Sequence, residues 1–356
     1  MVSESGVIIN EKPPKKKSIK CVVWDLDHTL WDGVLLEDGE IHLRQDVVEV
    51  IKTLDERGIL HSIASKNDAA TALARLEAFG IREYFLFPQI NWNSKASSIK
   101  EIAKALNIGI DTFAFVDDQP FEREEVAFAL PEVLCIDALE SSSIPALEAM
   151  QPRFITQDSR NRRHMYLSDM NRDEAEKTFT GPSDEFLATL NMAFTIAPCT
   201  EAELQRAEEL TIRTHQLNTT GYTYSYEELK SFITSPRHRL YVSSLDDKYG
   251  TYGTIGLALV ECEPTFWTVK LLLMSCRVMS RGVGTIMLNY LMQQARAAGV
   301  TLRAEFVSNN RNRMMLVTYK FGGFREIMKE GDFTLFEHDL AHITPFPAYV
   351  DVIIKE

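Results

Sequence analysis

The sequence predicts an α/β protein: a parallel-sheet domain followed by a mixed α+β domain. Three observations predict it. Short β-branched runs alternate with amphipathic stretches from residue 18 onward, the rhythm of strands joined by crossover helices. The polar clusters of that first part each fall just after a strand, where strand carboxyl ends and helix amino ends converge in an open sheet. Beyond about Pro152 the rhythm changes, with strands following one another in a row.

Taken in order, Ile19–Trp24 reads as the first strand because it is an unbroken apolar run with β-branched residues. Val47–Arg57 has helical spacing, Leu60–Ala64 is a second strand and Ala69–Phe79 a second helix. A helix at Lys95–Leu106, a strand at Thr112–Val116, a helix through Glu122–Ala129 and a last strand at Val133–Ile136 complete this part. Ser141–Ser183 turns polar and Arg-rich, which puts the junction near Pro152. The second part reads as a strand Ala193–Ala197, helices Glu201–Thr214 and Tyr226–Ile233, and strands His238–Ser244, Ile255–Glu261 and Phe266–Met274. A helix from about Gly284 to Ala297, a strand Leu302–Val307, a helix Met314–Lys320 and a strand Phe333–Glu337 close it.

The 356 residues suit two domains at roughly 150 residues each. The expected division is a flexible leader 1–17, a first domain 18–152 and a second domain 153–356 that includes the linker. A formal net charge of -13 repels phosphate backbones and argues against nucleic acid as a partner. No apolar run approaches the roughly 18 residues needed to span a bilayer, and the first residues lack a signal peptide's apolar core. The expectation is a soluble, cytoplasmic protein with no membrane partner. Cysteines at positions 21, 135, 199, 262 and 276 show no paired spacing, so neither a disulfide framework nor a zinc cluster is expected.

The strongest chemical signal is Trp24-Asp25-Leu26-Asp27-His28-Thr29, a strand ending in two carboxylates one residue apart. The first can attack phosphorus while the second protonates the leaving oxygen. Two carboxylates beside a phosphoryl group repel it, so a hard divalent cation, Mg2+, is expected to neutralise them. Ser65 at a strand end, Lys95 before a helix and Asp117-Asp118 at another strand end supply a hydroxyl, a cation and further acids. Taken singly, each of these could merely end a strand or cap a helix.

Together they resemble the haloacid dehalogenase (HAD) superfamily, whose motifs are DxDxT, Ser/Thr, Lys and an acidic pair. The resemblance implies Asp25 as nucleophile and metal ligand, and Asp27 as general acid/base that also gives its main-chain carbonyl to Mg2+. It implies Ser65 and Lys95 as phosphate ligands and Asp117 and Asp118 as metal ligands. The gaps between these motifs leave room for a flap but for no cap domain, so unless the second domain covers it the site is expected to be open, which favours a large or protein-tethered substrate.

In the second part, Arg281-Gly282-Val283-Gly284 opening a helix could point N–H groups at an anion; a tight turn before a core helix is the plainer alternative. With the pattern NxxMxxTYxxxGF from Asn312 to Phe324, it resembles the GNAT acyltransferase fold, although Met279 stands where that family has Arg or Gln. Cys276, at a strand end beside Arg277, is the candidate thiolate nucleophile; a lone cysteine is also commonly a buried hydrophobe. The run Arg213-Thr214-His215-Gln216-Leu217-Asn218 could line an acceptor pocket, with His215, Gln216, Asn218, Arg277, Gly282 and Gly284 as substrate or acceptor contacts.

Read in order, VVWDLDHTLWDG, SIASKND, PQINWNSK, FAFVDDQPFEREEV, RTHQLNTTGYTYS, LLLMSCRVMSRGVG and RNRMM resemble the FkbH-like family from about Ser18 to the end of the chain. That resemblance implies a glyceryl transferase/phosphatase of polyketide biosynthesis. It would dephosphorylate D-1,3-bisphosphoglycerate and load a D-glyceryl unit on the phosphopantetheine thiol of an acyl carrier protein through an acyl thioester on Cys276. The alternatives are a HAD phosphatase whose second domain is a scaffold, a fused phosphatase and acetyltransferase, and a noncatalytic docking module.

Overall fold

A computed structural model of the chain describes residues 18–38 and 40–356, so the expected leader 1–17 lies outside the described residues. The chain divides into two compact units after Ile155.

The first unit is built on β1 (Cys21–Trp24), whose four residues are all buried, as a strand covered on both faces requires. A hairpin of β2 (Trp31–Asp32) and β3 (His42–Leu43) follows, then α1 (Gln45–Glu56), β4 (Leu60–Ser65) and α2 (Ala69–Ala78). β5 (Gln89–Ile90), α3 (Lys95–Leu106), β6 (Phe113–Asp117), α4 (Pro120–Ala129) and β7 (Leu134–Asp137) complete it. The sheet order is β5-β4-β1-β6-β7, and every pairing is parallel. Register carries the functional consequence: Trp24 lies opposite Ile63 and Val116, so Asp25, Ser65 and Asp117 emerge at one edge of the sheet. The core behind that edge packs Val22, Trp24, Ile51, Leu54, Ile63, Leu76 and Val116. The Trp24 indole donates to His61 Nδ1 at 3.0 Å and His61 Nε2 donates to the Ile51 carbonyl at 3.0 Å, tying β1 through β4 to α1.

The second unit opens with helices α5 (Gln157–Arg160), α6 (Arg162–Thr178) and α7 (Ser183–Thr189) before β8 (Met192–Pro198). Then come α8 (Leu204–Arg213), α9 (Tyr226–Ile233), β9 (His238–Asp247), β10 (Gly250–Cys262) and β11 (Phe266–Met274). A 3-10 turn over Cys276–Arg281 leads to α10 (Ile286–Ala297), β12 (Thr301–Val307), α11 (Arg313–Phe321), β13 (Arg325–Glu330), β14 (Phe333–His338) and β15 (Val350–Ile354). The eight strands form one mixed sheet in the order β13-β14-β12-β11-β10-β9-β8-β15. Period-two alternation divides its faces: Ala258, Val260, Leu272 and Met274 join the cluster around α10, while Leu257, Leu259, Leu271 and Leu273 join the cluster with α8 and α9. Each fully buried leucine contributes about 1.5–3 kcal/mol.

The α/β class is as expected; several boundaries differ for physical reasons. β10 begins at Gly250 rather than Ile255, because Gly253 at φ +70° and two register shifts break the alternation there. β13 is exposed along its whole length, so it carries no apolar pattern to read. The polar stretch expected to be linker contains α6, whose buried residues are Arg162, Arg163, Met165 and Arg172. This helix is held by ion pairs: Arg172 Nε lies 2.7 Å from Asp247, and its guanidinium stacks 3.8 Å from the Tyr252 ring. Among the described residues no helix is long and apolar enough to cross a membrane.

Candidate active site

Lys95 is the centre of the first site. Ser94 caps α3, its hydroxyl accepting from Ser97 N at 3.2 Å, which sets Lys95 at the first helical position and sends its side chain inward. The lysine is 3% exposed. Its Nζ donates to Asp25 Oδ1 and to the Ala64 carbonyl at 2.8 Å, and lies 3.2 Å from Asp117 Oδ2. Asp25 also accepts hydrogen bonds from the Ser65 hydroxyl and the Leu26 backbone. Asp117 Oδ1 accepts from Gln119 N at 2.8 Å, and Arg123 donates to the Asp117 carbonyl at 2.8 Å. The four expected motifs therefore converge.

Two buried carboxylates face one ammonium. Burial pushes the Asp25 carboxyl up, against the pull of Lys95. Burial and then the Asp25 charge push Asp117 up to about 6. Burial opposes the charge on Lys95, yet the two carboxylates outweigh it and hold the ammonium protonated. The pocket is thus short of positive charge.

Oxygen atoms of Asp25, Asp117 and Asp118 lie within 4.8 Å of one another. Asp118 Oδ1 is buried and accepts no hydrogen bond, and Asp117 Oδ2 is buried against the Lys95 ammonium. Hard oxygens with unused acceptor capacity beside excess negative charge fit Mg2+. The Asp27 carboxylate does not belong to this set. Its Oδ1 accepts from Trp31 Nε1 at 2.8 Å and Leu35 N at 3.0 Å, and its Oδ2 from Asn67 Nδ2 at 3.0 Å. The resemblance assigns Mg2+ the main-chain carbonyl of Asp27, and its carboxylate, held by these donors, stays out of the set. Trp31, Leu35 and Asn67 were not singled out in the sequence; the one signal was Asn67 standing between a strand-end serine and the Asp68 cap of α2. Among the described residues the segments between the motifs form a hairpin and single helices and no inserted domain, and Asp25 is only 5% exposed, so the site is recessed within the first unit.

In the second unit the expected contacts separate. β11 pairs with β12 only from Phe266 to Val269. Beyond that point the strands diverge, and Leu217–Thr219 fills the gap: Met274 N donates to the Leu217 carbonyl at 2.9 Å, Thr219 N to Leu272 at 3.1 Å, and Val307 N to Thr219 at 3.0 Å. Asn218 is 0% exposed, with Oδ1 accepting from Thr220 N and Gly221 N at 3.1 and 2.8 Å. It seals the sheet and is withdrawn from any acceptor pocket. His215 is half-buried and Gln216 exposed, each on the segment leading to that wedge.

Cys276 begins the 3-10 turn after β11, partly buried against the core. None of the five cysteines is in a disulfide. Burial pushes the Cys21 thiol far up, Cys199 up to about 12 and Cys262 up, which holds those three protonated and inert. In the expected anion loop, Gly282 has φ +68°, and a Cβ there would lie 2.1 Å from the Tyr349 hydroxyl. Around Gly284 there is open space. Arg281 turns back instead, pairing with Asp173 at 3.0 Å and Glu176 at 3.1 Å on α6.

No protein-family model matches the chain, and no curated protein matches it. Among solved structures, it is similar to the N-terminal part of a Bacteroides fragilis protein containing a phosphatase domain complexed with Mg, at 30% identity and a TM-score of 0.32, covering 38% of this chain. The match spans 42% of that chain's length. It is also similar to the ribosomal-protein-S18-alanine N-acetyltransferase of Escherichia coli, at 18% identity, a TM-score of 0.32, and 40% of this chain against 90% of that one. An N-acetyltransferase of Staphylococcus aureus gives 16% identity and a TM-score of 0.31, with 41% and 98% covered.

Proposed function

We propose that the chain is a bifunctional enzyme, a phosphatase in its first unit and an acyltransferase in its second. The observation that carries the reading is the convergence of Asp25, Lys95 and Asp117 in one recessed, charge-deficient pocket. Following the FkbH-like resemblance, the donor is D-1,3-bisphosphoglycerate and the acceptor is the phosphopantetheine thiol of an acyl carrier protein.

The donor is a mixed anhydride and a phosphate ester in one molecule, which calls for two unlike sites. At the second unit, the Cys276 thiolate attacks the acyl carbon; the C–S bond forms and phosphate leaves with the C–O pair. At the first unit, Asp25 attacks the remaining phosphorus while Asp27 gives its proton to the departing alkoxide, leaving an aspartyl-phosphate. Water then attacks that phosphorus, Asp27 takes its proton, and phosphate departs. Three donors fix the Asp27 carboxylate for these transfers. Ser65 and Lys95 would hold phosphoryl oxygens. When bound by Asp25, Asp117 and Asp118, Mg2+ would neutralise the charge that builds on those oxygens. The carrier thiol finally displaces Cys276 by thioester exchange, its proton passing to the departing thiolate.

Exposed apolar side chains flank the strand-end loops, Leu36 in the hairpin, Trp92 before α3 and Phe121 in the first turn of α4, and they suit a protein-tethered substrate. The withdrawal of Asn218 into the sheet favours a second reading, in which the second unit is a scaffold for a plain phosphatase. Intact-mass spectrometry of the enzyme and a carrier protein after incubation with bisphosphoglycerate and Mg2+ separates them. A glyceryl adduct on Cys276 and then on the carrier is expected; phosphate release with no adduct on either sinks the transferase half.

A further inference from the structure

The mixed sheet of the second unit ends on β13, and all six of its residues are exposed. An edge strand offers unpaired N–H and C=O groups to another chain. Charged side chains on the inner strands of this sheet are paired across the ladder: Lys270 on β11 with Glu305 on β12, and Arg303 on β12 with Glu337 on β14 at 2.9 Å. The series stops at β13. Among the described residues, Arg325, Glu326, Lys329 and Glu330 make no ion pair and no side-chain hydrogen bond. Exposed apolar side chains accompany them in the chain, Ile327 and Met328 in β13 itself and Phe321, 88% exposed, at the end of the preceding α11.

The order of these charges is self-complementary. In an antiparallel pair about a two-fold axis between Ile327 and Met328, Arg325 faces the partner's Glu330 and Glu326 faces the partner's Lys329. Ile327 then faces the partner's Met328. Symmetry repeats each contact, so opposite charges flank an apolar centre on both sides. Facing residues must also share a face of the sheet, which an unbroken strand forbids here, because Arg325 and Glu330 are an odd number of positions apart and side chains alternate. A bulge in β13 removes the obstacle. Its register against β14 skips Ile327: Arg325 lies opposite Glu337, Glu326 opposite Phe336, Met328 opposite Leu335, Lys329 opposite Thr334 and Glu330 opposite Phe333. Arg325 and Glu330 therefore share the face of Glu337 and Phe333, while Glu326 and Lys329 share the face of Phe336 and Thr334. A bulge and a lysine usually deter pairing at a sheet edge. Here the bulge is what brings the opposite charges into register. The other edge strand, β15, carries a single charge, Asp351, and has no such symmetry.

We propose that β13 pairs with β13 of a second copy of this chain, joining two eight-stranded sheets into one across a two-fold axis. The inference rests on this edge alone and not on the reaction assigned to either unit.

The test is sedimentation velocity on the full-length protein from about 1 μM to about 0.1 mM, a span of moderate dissociation constants. A species of twice the chain's mass is expected to grow with concentration. Arg325→Glu with Lys329→Glu makes the charges of the strand wholly acidic, and Glu326→Lys with Glu330→Lys makes them wholly basic. Each charge variant alone should raise the dissociation constant at least about 100-fold, because like charges then face one another at every charged pair. An equimolar mixture of the two should dimerise again, since every facing pair is once more opposite. A monomer at all concentrations, a dimer that survives in either charge variant, or a mixture that stays monomeric would each overturn the proposal. Circular dichroism checks that the variants fold; should one not, hydrogen exchange of the unsubstituted chain decides. Peptides covering 325–330 should exchange more slowly at the higher concentration, and equal exchange at both would overturn the pairing.

Discussion

Asp25, Ser65 and Asp117 sit on neighbouring strands of one parallel sheet, within a residue of the ladder hydrogen bonds that fix them. In the second unit Arg162 and Arg206 are held by Glu209, and Arg172 by Asp247, so ion pairs rather than a shared ladder place these side chains. The first site inherits its geometry from the backbone; this second region builds its geometry from the charges themselves. Substitution in the first should therefore act mainly on chemistry, and in the second mainly on stability.

The largest expected effect tests the first half of that contrast. Asp25→Asn keeps the shape and removes the attacking oxygen's charge, so phosphate release should fall by about 10³-fold or more at unchanged fold. Cys276→Ala should still hydrolyse a simple phosphate ester. If steady-state assays find phosphate release in Asp25→Asn within tenfold of the unsubstituted chain, roughly 1.4 kcal/mol, the nucleophile is another group.

Lys95 is where the contrast should weaken, because it is a buried charge inside the sheet-built site. Lys95→Met leaves two buried carboxylates unneutralised and should cost about 3–5 kcal/mol in EDTA, read by urea unfolding. Arg172→Met in the second unit removes the partner of Asp247 and should cost a similar amount, about 3–5 kcal/mol. Phosphate release by the folded Arg172→Met protein should stay within about twofold, since the two units pack separate cores. A large loss of release there would mean that the units are not energetically separate.

Proton linkage gives a smaller effect with a definite sign. The folded Asp117 carboxyl is raised from 3.8 to about 6, so the folded state binds that proton more tightly than the unfolded chain does. In EDTA this group therefore makes the first unit less stable as pH climbs from about 4 through about 6. Deprotonated carboxylates are also the ones that ligate metal. Differential scanning calorimetry should find that Mg2+ raises the first unit's Tm more at pH 8 than at pH 5. An equal rise at both would detach Asp117 from the metal.

Much of the first site was legible because a parallel sheet turns sequence order into spatial adjacency: a strand-end residue is almost at its functional position already. Asp25, Ser65, Lys95 and Asp117 each carried that signal. Asn67 did not, since its role depends on where the Asp27 carboxylate turns. In the second unit, Arg213-Thr214-His215-Gln216-Leu217-Asn218 looked like a row of ligand donors, but Leu217–Thr219 completes a ladder between diverging strands, a long-range fact that no local pattern encodes. The polar stretch containing α6 looked like linker because amphipathicity is read from apolar residues, whereas the buried face of this helix is largely arginine.

The smallest expected effect probes how far the backbone alone aims Lys95. Ser94 accepts the Ser97 N–H and starts α3 one residue before the lysine. Ser94→Ala should cost about 1 kcal/mol of first-unit stability, the ordinary price of a lost N-cap. If the cap also sets the lysine's angle, phosphate release should drop about 3–10-fold, because small misplacements weaken an oriented site. Ser94→Asp should restore both, since a carboxylate caps as well as a hydroxyl and favours the positive end of the helix. Unfolding in urea and phosphate release measured on the same samples decide the matter. Lost stability with unchanged release would mean that the Ala64 carbonyl and Asp25 position Lys95 by themselves, and the first site would then be charge-built like the ion-paired region of the second unit.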